Sequence, residues 1–463
     1  MLTILEILII AANIPVLLWA LLPVKRVPRF LDFLPLASVI FLVLHLFIDK
    51  EAVILRFIPL YIFTITFFLV TLGRIFKHNP NMPKRRVLAG IGRIFGLLAL
   101  VICVMIPVVV LPFYTLPEPT GSFNVGNVVC DLTDKNRVDT FSKDEGVLRK
   151  IAVEFWYPID RTGSEVKYDV SNAPVSDMQQ NYPVLVFSHG AFGVRRSNAS
   201  TCRELASHGY IVASIDHTYH SFLTSFADGT KTPANAKFLN DVMAAQSGKL
   251  PEQEVFKLSH EWLELRTGDI KFLLDSLRSG ELGEQGKLLT GHMNLDKIGL
   301  FGHSLGGAAS AQVCRESKDV KAAIVIDGTM IGDVTGVNSE NMDVLTKENF
   351  SKPLFQMYGA LYLEPEAKAS SYLPNIKAFN NAKAPAYSLC IKDSGHLNFT
   401  DLPRISPFLS SLLGVGTVDS MECIKTVNSY SLAFFDQYLK GRNSPLLGST
   451  VNNNQVVFER RIK

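Results

Sequence analysis

Gly302-His303-Ser304-Leu305-Gly306 is the stretch of this 463-residue chain whose residue types and spacing point most directly to covalent chemistry. A serine hydroxyl is a weak nucleophile until a neighbouring base takes its proton. A G-x-S-x-G sequence serves that end when it follows a buried strand and opens a helix, because the sharp turn presents the hydroxyl above the sheet. Here Ile298, Leu300 and Phe301 form a short apolar run before the motif, and Ala308–Val313 reads as a helix after it. The flanking glycines are required because a side chain there would strike the neighbouring strand or helix.

The chemistry needs a base, an acid to orient it, and donors for a developing oxyanion. Among ten histidines, His396 is the best base candidate, since it sits in a Gly-His pair after the last apolar strand, on a loop able to carry it over Ser304. His303 adjoins the nucleophile, but neighbouring side chains on a tight turn point apart, so a structural role is expected. His189 is expected to brace the loop that follows Ser188. His217 and His220, just beyond a strand end, are candidates to line the pocket together with Phe192. Asp327 is the expected acid; Asp333 and Glu364 are its rivals, and Asp393 lies too close in sequence to His396 to bridge easily. The oxyanion donors are expected to be the backbone N–H groups of Leu305 and Ala191. The six cysteines show no metal-ligand spacing, and five of them lie outside the apolar first quarter, an odd number that cannot all pair. Neither a metal nor a cofactor is expected.

Stepping outward, these residues need a parallel sheet to bring them together. Pro183–Ser188, Tyr210–Ile215, the run before Ser304, Lys321–Ile326, Pro353–Tyr358 and Ala386–Ile391 are short and nearly continuous apolar runs, as expected of strands covered on both faces. Asn127–Leu132 and Leu148–Tyr157 precede them as further strands. Helices are expected at Ser197–His208, Pro251–Leu277 and Ser429–Leu439, the second with Phe256, Leu263, Ile270 and Leu274 along one face. Residues 217–250 read as a polar insertion that could form a lid. Alternating strands and helices predict an α/β fold, in which chemistry sits beyond the carboxyl ends of the strands. The chain order Ser304, Asp327, His396 is that of α/β-hydrolases.

The first quarter differs in kind. Residues 1–120 carry 11 Lys and Arg against 5 Asp and Glu, whereas the remainder is slightly acidic, so nothing suggests nucleic-acid binding. Four apolar stretches, about 2–22, 31–48, 52–72 and 94–114, are each near the roughly 20 residues that span a bilayer. They predict a transmembrane region over 1–116, followed by a catalytic domain over 117–463. Basic residues cluster in the first loop (Lys25, Arg26, Arg29) and the third (Arg74, Lys77, Lys84, Arg85, Arg86), which places those loops in the cytoplasm and the catalytic domain on the extracytoplasmic side of a cell membrane. Glu6, Asp32 and Arg56 are expected to snorkel from helix ends, while a relay or transport path through Glu6, Asn13, Asp32, His45 and Arg56 is the alternative reading. Pro15, Pro35 and Pro59 predict kinks.

Several segments taken in order resemble the platelet-activating factor acetylhydrolase family of type II α/β-hydrolases. They are Gly121-Ser-Phe-Asn-Val-Gly126, Phe155-Trp-Tyr-Pro158, Phe187-Ser-His-Gly190 and Leu205-Ala-Ser-His-Gly-Tyr210, then Gly302-His-Ser-Leu-Gly-Gly307, Ile326-Asp-Gly328, His396-Leu-Asn-Phe399 and Phe434-Phe-Asp436. The resemblance covers most of residues 121–445. It implies Ser304 as nucleophile, Asp327 as acid, His396 as base, and Ala191 and Leu305 as oxyanion donors, with removal of short or oxidised acyl chains from phospholipids without calcium. Leu305 stands where many members have Phe, and Ala191 is smaller than the apolar residue often found there. The expected protein is thus a membrane-anchored serine ester hydrolase acting on amphiphilic esters. An acyltransferase, a peptidase, or a membrane module that only binds a ligand are the competing readings.

Overall fold

In the computed structural model the apolar runs become neighbours in one sheet. The structure describes residues 4–19, 33–48, 57–76, 86–142, 144–161 and 163–462. These fall into two units, one of Met1–Thr115 with Ile405–Ser411, the other of Leu116–Arg404 with Leu412–Lys463.

In the larger unit the strands are β1 (Asn124–Val138), β2 (Leu148–Ile159), β3 (Val170–Ser171), β4 (Tyr182–Ser188) and β5 (Ile211–Asp216), then β6 (Leu223–Ser225), β7 (Lys231–Pro233), β8 (Met293–His303) and β9 (Val320–Ile326). They continue as β10 (Val334–Val337), β11 (Asp343–Leu345), β12 (Leu354–Tyr358), β13 (Ala386–Ile391), β14 (Val451–Asn452) and β15 (Val456–Arg461). Eleven of them form a sheet in the order β14-β15-β13-β12-β9-β8-β4-β5-β2-β1-β3; β6 with β7 and β10 with β11 form separate hairpins. From β13 through β12, β9, β8 and β4 to β5 every pairing is parallel, whereas β15 and β2 join the two sides antiparallel. β4, β5, β12 and β13 are buried along their whole length, because helices cover both faces of a parallel sheet. This is the mostly parallel α/β-hydrolase sheet expected from the sequence.

Two apolar cores lie on opposite faces. One holds Val184, Val186, Ile298, Leu300, Ala323 and Val325; the other takes the alternate residues Leu185, Phe187, Phe301, Ile324 and Ile326, as the period of two in a strand requires. Residues 217–250, read from sequence only as a polar insertion, contain the β6–β7 hairpin and a helix, Ala236–Gln246, that buries Phe238 and Val242. All six cysteines are free thiols.

The smaller unit corrects the sequence reading. Its helices are α1 (Ile4–Trp19), α2 (Leu34–Ile48), α3 (Ile58–Phe76) and α4 (Arg86–Met105), the last continued by a π-helical turn, Ile106–Val110. Among the described residues no helix is long and apolar enough to cross a membrane. The apolar runs were measured along the sequence, but α1 and α2 have only 16 and 15 helical residues. At 1.5 Å per residue that is about 24 and 22 Å, short of a hydrocarbon core of about 30 Å. α4 carries Arg86 and Arg93 in its first half. Pro35 and Pro59 are each the second residue of their helix, where a proline removes no intrahelical hydrogen bond and forces no kink; Pro15 lies inside α1. Lys25, Arg26, Arg29, Asp32, Lys50, Arg56, Lys77, Lys84 and Arg85 lie outside the described residues.

Glu6 does not snorkel. It is fully buried, 3.6 Å from His45 Nε2, and His45 in turn is hydrogen-bonded to Tyr61. Asn13 donates to Thr64 Oγ1 at 3.2 Å and accepts from Ser38 Oγ at 3.4 Å. These polar groups join different helices from the inside, while Ile62, Leu69 and Phe95 lie exposed on the outside.

Candidate active site

Ser304 lies between β8 and the helix α8 (Leu305–Glu316; the helices of the larger unit include α5, Ala199–Ser207; α6, Ala236–Gln246; and α7, Glu252–Ser279). Its φ and ψ are 53° and −126°, a conformation costly for a residue with a Cβ and characteristic of strained functional positions. The surrounding contacts over-determine it. Ser304 N–H donates to Ile326 O at 2.8 Å, and Ser304 O accepts from Gly307 and Ala308 N–H. A Cβ on Gly306 would sit 2.0 Å from Ser188 O, and one on Gly302 would sit 2.3 Å from the Gly306 carbonyl carbon. Those two glycines are what allow the elbow to close against β4.

Asp327 follows β9 with a φ of 46°. Its Oδ1 accepts the Gly359 N–H at 2.8 Å, and its Oδ2 lies 2.7 Å from His396 Nδ1. A carboxylate only accepts, so Nδ1 of His396 carries the proton and Nε2 is left for proton transfer. The carboxylate is buried, whereas the imidazole is 48 % exposed. His396 opens a short 3₁₀ turn, His396–Phe399, closed by Asn398 Oδ1, which accepts from Gly395 and Gly416 N–H at 2.8 and 2.7 Å. The His303 ring lies beside that of His396, with centroids 4.5 Å apart, and its Nε2 donates to His396 O at 3.1 Å. Burial pushes His303 down to about 3, which makes it a neutral prop for the loop. Ser304 Oγ makes no hydrogen bond among the described residues; in enzymes of this design that contact often tightens only with substrate bound. Asp333 is engaged by Arg315, and Glu364 is exposed on a later turn.

The loop after β4 lies over Ser304: a Cβ on Gly190 would be 3.1 Å from Ser304 Cβ and 2.8 Å from His303 Nδ1. Neither Ala191 N–H nor Leu305 N–H is hydrogen-bonded within the described residues, and Leu305 N–H is at the positive end of α8. Ala191, Phe192 and Leu305 meet Phe238, Val242, Leu258 and Trp262 in one apolar cluster. Phe192 and Phe238 have centroids 5.8 Å apart, and Trp262 meets Phe238 edge-on at 5.7 Å. The 217–250 insertion and the start of α7 therefore supply an aromatic wall beside the two N–H groups.

His217 and His220 are fully buried. His220 stacks on Phe238 at 3.8 Å. His217 donates from Nδ1 to Asp269 Oδ2 at 2.9 Å, and its Nε2 accepts from Ser188 Oγ at 2.8 Å; burial, with the Arg266 cation nearby, pushes it down to about 4. Asp269 also takes Arg149 in a two-pronged contact and Arg137 at 2.9 Å. Despite its burial, which acts to raise it, Arg149 and His217 hold its carboxyl well below the usual range. The sequence reading missed this network. Its one visible signal was charge on a buried stripe, since Arg266 falls three residues after Leu263 and four before Ile270 on the apolar face of α7. Among the described residues no group of three or more His, Cys, Asp or Glu side chains is placed to hold a metal ion.

A strained serine between strand and helix, with an Asp–His pair reaching from the ends of β9 and β13 across β12 of a mostly parallel sheet, defines the chain's larger unit as an α/β-hydrolase. A ferulic acid esterase from Streptomyces cinnamoneus shares this fold, with a TM-score of 0.58, 24 % identity, and coverage of 74 % of this chain and 98 % of the esterase. The sequence profile described as platelet-activating factor acetylhydrolase, isoform II, matches residues 148–445, and the chain belongs to that family. It is 25 % identical over 287 residues to the platelet-activating factor acetylhydrolase of Cavia porcellus, covering 58 % of this chain and 60 % of that protein. To a probable 1-alkyl-2-acetylglycerophosphocholine esterase of Arthroderma benhamiae it is 23 % identical over 401 residues, covering 74 % and 94 %. The chain thus spans about three-fifths of the length of the guinea-pig relative.

Proposed function

We propose that the protein is a serine ester hydrolase acting on amphiphilic esters, with short-acyl phospholipids of the 1-alkyl-2-acetylglycerophosphocholine kind as the favoured class. The observation that carries this reading is the 2.7 Å pairing of His396 Nδ1 with Asp327 Oδ2 beside an elbow serine. Asp327 fixes the His396 tautomer and balances the charge the ring gains. His396 Nε2 takes the proton as Ser304 Oγ attacks the ester carbonyl. The tetrahedral oxyanion is held by Ala191 and Leu305 N–H, each such donor being worth about 10²–10³ in rate. His396 then passes its proton to the departing alcohol oxygen, and water, deprotonated by the same ring, cleaves the acyl-enzyme to release the acid. The apolar wall of Phe192, Phe238 and Trp262 suits an acyl or alkyl chain, and the family and the names of its relatives support the phospholipid class.

We further propose that the helical unit holds the chain in a cell membrane, with the catalytic unit on the extracytoplasmic side as the basic loops of the sequence imply. An impermeant fluorophosphonate applied to intact and to permeabilised cells reports this directly; labelling that needs permeabilisation sinks it. For the chemistry, Ser304→Ala lowers hydrolysis of a short-acyl ester by about 10⁴-fold or more and abolishes fluorophosphonate labelling, while the thermal midpoint stays within a few degrees. Hydrolysis retained in that variant refutes the esterase. Acyl groups recovered on an added alcohol in place of water assign the transferase chemistry, and cleavage of an added peptide into acid and amine assigns the peptidase.

A further inference from the structure

Behind the oxyanion loop stands a buried cation that the hydrolytic scheme does not use. Arg266, on α7, is fully buried, and its guanidinium contacts carbonyls in place of carboxylates: Nη1 donates to His189 O, and Nη2 donates to Gly190 O at 3.3 Å. Among the described residues its Nε has no hydrogen-bond partner. Burial pushes its pKa down to about 9, with Asp269 opposing and Arg149 adding to the fall. A desolvated cation satisfied this incompletely is a poor stabilising device, so its value must lie in what its partners do.

Those partners set the direction of one peptide. The Gly190 carbonyl and the Ala191 N–H belong to the same planar unit and point opposite ways. Anything that pulls Gly190 O towards α7 turns Ala191 N–H towards Ser304. Three donors hold that carbonyl: Arg266 Nη2 from α7, and within the loop His189 Nδ1 at 2.7 Å and Gly193 N–H at 3.2 Å. His189 is kept neutral by burial and the Arg266 charge; Gly190 O can only accept, so the one ring proton sits on Nδ1 and is committed to that carbonyl, leaving Nε2 as the acceptor facing Ser221 Oγ at 2.8 Å. Hydrogen bonds to a peptide carbonyl also polarise its N–H, and more so where the dielectric is low.

We propose that Arg266 is a positioning residue for the oxyanion hole, which locks and polarises the Gly190–Ala191 peptide so that Ala191 N–H faces the developing charge. This rests on the serine-hydrolase reading above. Its role lies in the transition state, so ground-state binding of the ester is left nearly untouched.

The test uses the full chain with Arg266→Met and Arg266→Lys. Steady-state hydrolysis of a p-nitrophenyl ester is compared with the affinities of an alkyl trifluoromethyl ketone and of the matching secondary alcohol. The ketone adds Ser304 Oγ to its carbonyl and places an oxyanion in the hole; the alcohol cannot. For Arg266→Met, kcat and ketone affinity fall together by about 10–100-fold, a large part of what one donor is worth, while KM and alcohol affinity stay within about threefold. Arg266→Lys keeps the charge but loses the fork, and recovers part of kcat. Unchanged kcat in both variants overturns the proposal, as does a parallel loss of ketone and alcohol affinity. If the Met variant gives no cooperative melt, the same split between ketone and alcohol is required of the Lys variant alone. A wild-type protein that binds the ketone no better than the alcohol, or a Ser304→Ala variant that still hydrolyses, refutes the serine-hydrolase reading itself, and this inference falls with it. Where those two controls behave and Arg266 does not, only the inference is lost.

Discussion

At the scale of single residues, the site is built on backbone conformations that side chains seldom adopt. Ser304 and Asp327 both hold positive φ, at 53° and 46°, despite having side chains, so the surrounding structure must outweigh a cost of roughly 1–3 kcal/mol at each. Part of that compensation is close backbone contact, and it makes a sharp prediction. Gly306→Ala puts a Cβ 2.0 Å from Ser188 O, a backbone atom at the end of a central strand that cannot yield. The expected loss exceeds about 4 kcal/mol, read as absence of a cooperative unfolding transition in the purified full chain. Gly336→Ala is the control: its Cβ meets nothing within 4 Å, and the midpoint should hold within about 0.5 kcal/mol. Comparable stability for the two variants contradicts the elbow geometry. The strand-end positions of Ser304, Asp327 and His396 were legible in the sequence because each follows an apolar run, where this kind of sheet places its chemistry. Arg266 was not, since a lone charge on an amphipathic helix says nothing of the carbonyls of His189 and Gly190, which are 77 and 76 residues away.

At the scale of elements, the loop that carries His396 is held by α5. Asp401 accepts from Ser200 N–H at 2.9 Å and from Ser200 Oγ, its own N–H donates to Ser197 O at 2.8 Å, and Asn198 Nδ2 donates to Phe399 O at 2.6 Å. Burial pushes the Asp401 carboxyl up to about 6, against the opposing hydrogen bonds from Ser200. A carboxyl whose folded pKa is raised binds protons more tightly when folded. Its contribution is therefore complete below the unfolded value of about 3.9 and is lost as the pH rises through about 6. Between pH 5 and 7.5 the wild-type chain should lose on the order of 1 kcal/mol relative to Asp401→Asn, measured as denaturation midpoints across that range. Parallel pH dependence in the two proteins would rule the clamp out as a titrating device. The parallel strands could be read from the sequence because burial on both faces leaves an unbroken apolar run. β15 could not: it lies near the edge with only Val456 and Phe458 buried and ends in charged residues. The helix Ala236–Gln246 was hidden for a related reason, since only Phe238 and Val242 of its eleven residues are buried.

At the scale of the whole molecule, the two units follow opposite rules of burial. The sheet unit keeps its apolar runs inside, as a protein in water must. The helical unit buries Glu6, Asn13, Ser38, His45 and Thr64 and leaves Ile62, Leu69 and Phe95 at 61 %, 58 % and 67 % exposure. Polar groups joining helices from within, under an apolar exterior, are the pattern on which the proposal of a membrane-bound helical unit rests. Charge follows the same division, with the basic excess confined to the first 120 residues. The sequence made this contrast visible as composition, yet apolar runs alone overstated helix length, because hydropathy does not say where a helix begins and ends. What the exterior faces can be decided without assuming any span. The full chain should float with phosphatidylcholine vesicles on a density gradient. Burial of each large apolar side chain contributes about 1.5–3 kcal/mol, whereas a lysine in hydrocarbon costs about 2.5–3.5 kcal/mol. Ile62→Lys, Leu69→Lys and Phe95→Lys together should shift most of the protein off the vesicles and slow hydrolysis of a vesicle-borne phospholipid ester. Turnover of a water-soluble p-nitrophenyl ester should stay within about twofold, because none of the three residues belongs to the unit that carries Ser304. Flotation undiminished in the triple variant would show that these faces do not meet lipid, and bilayer association would then have to arise elsewhere in the chain.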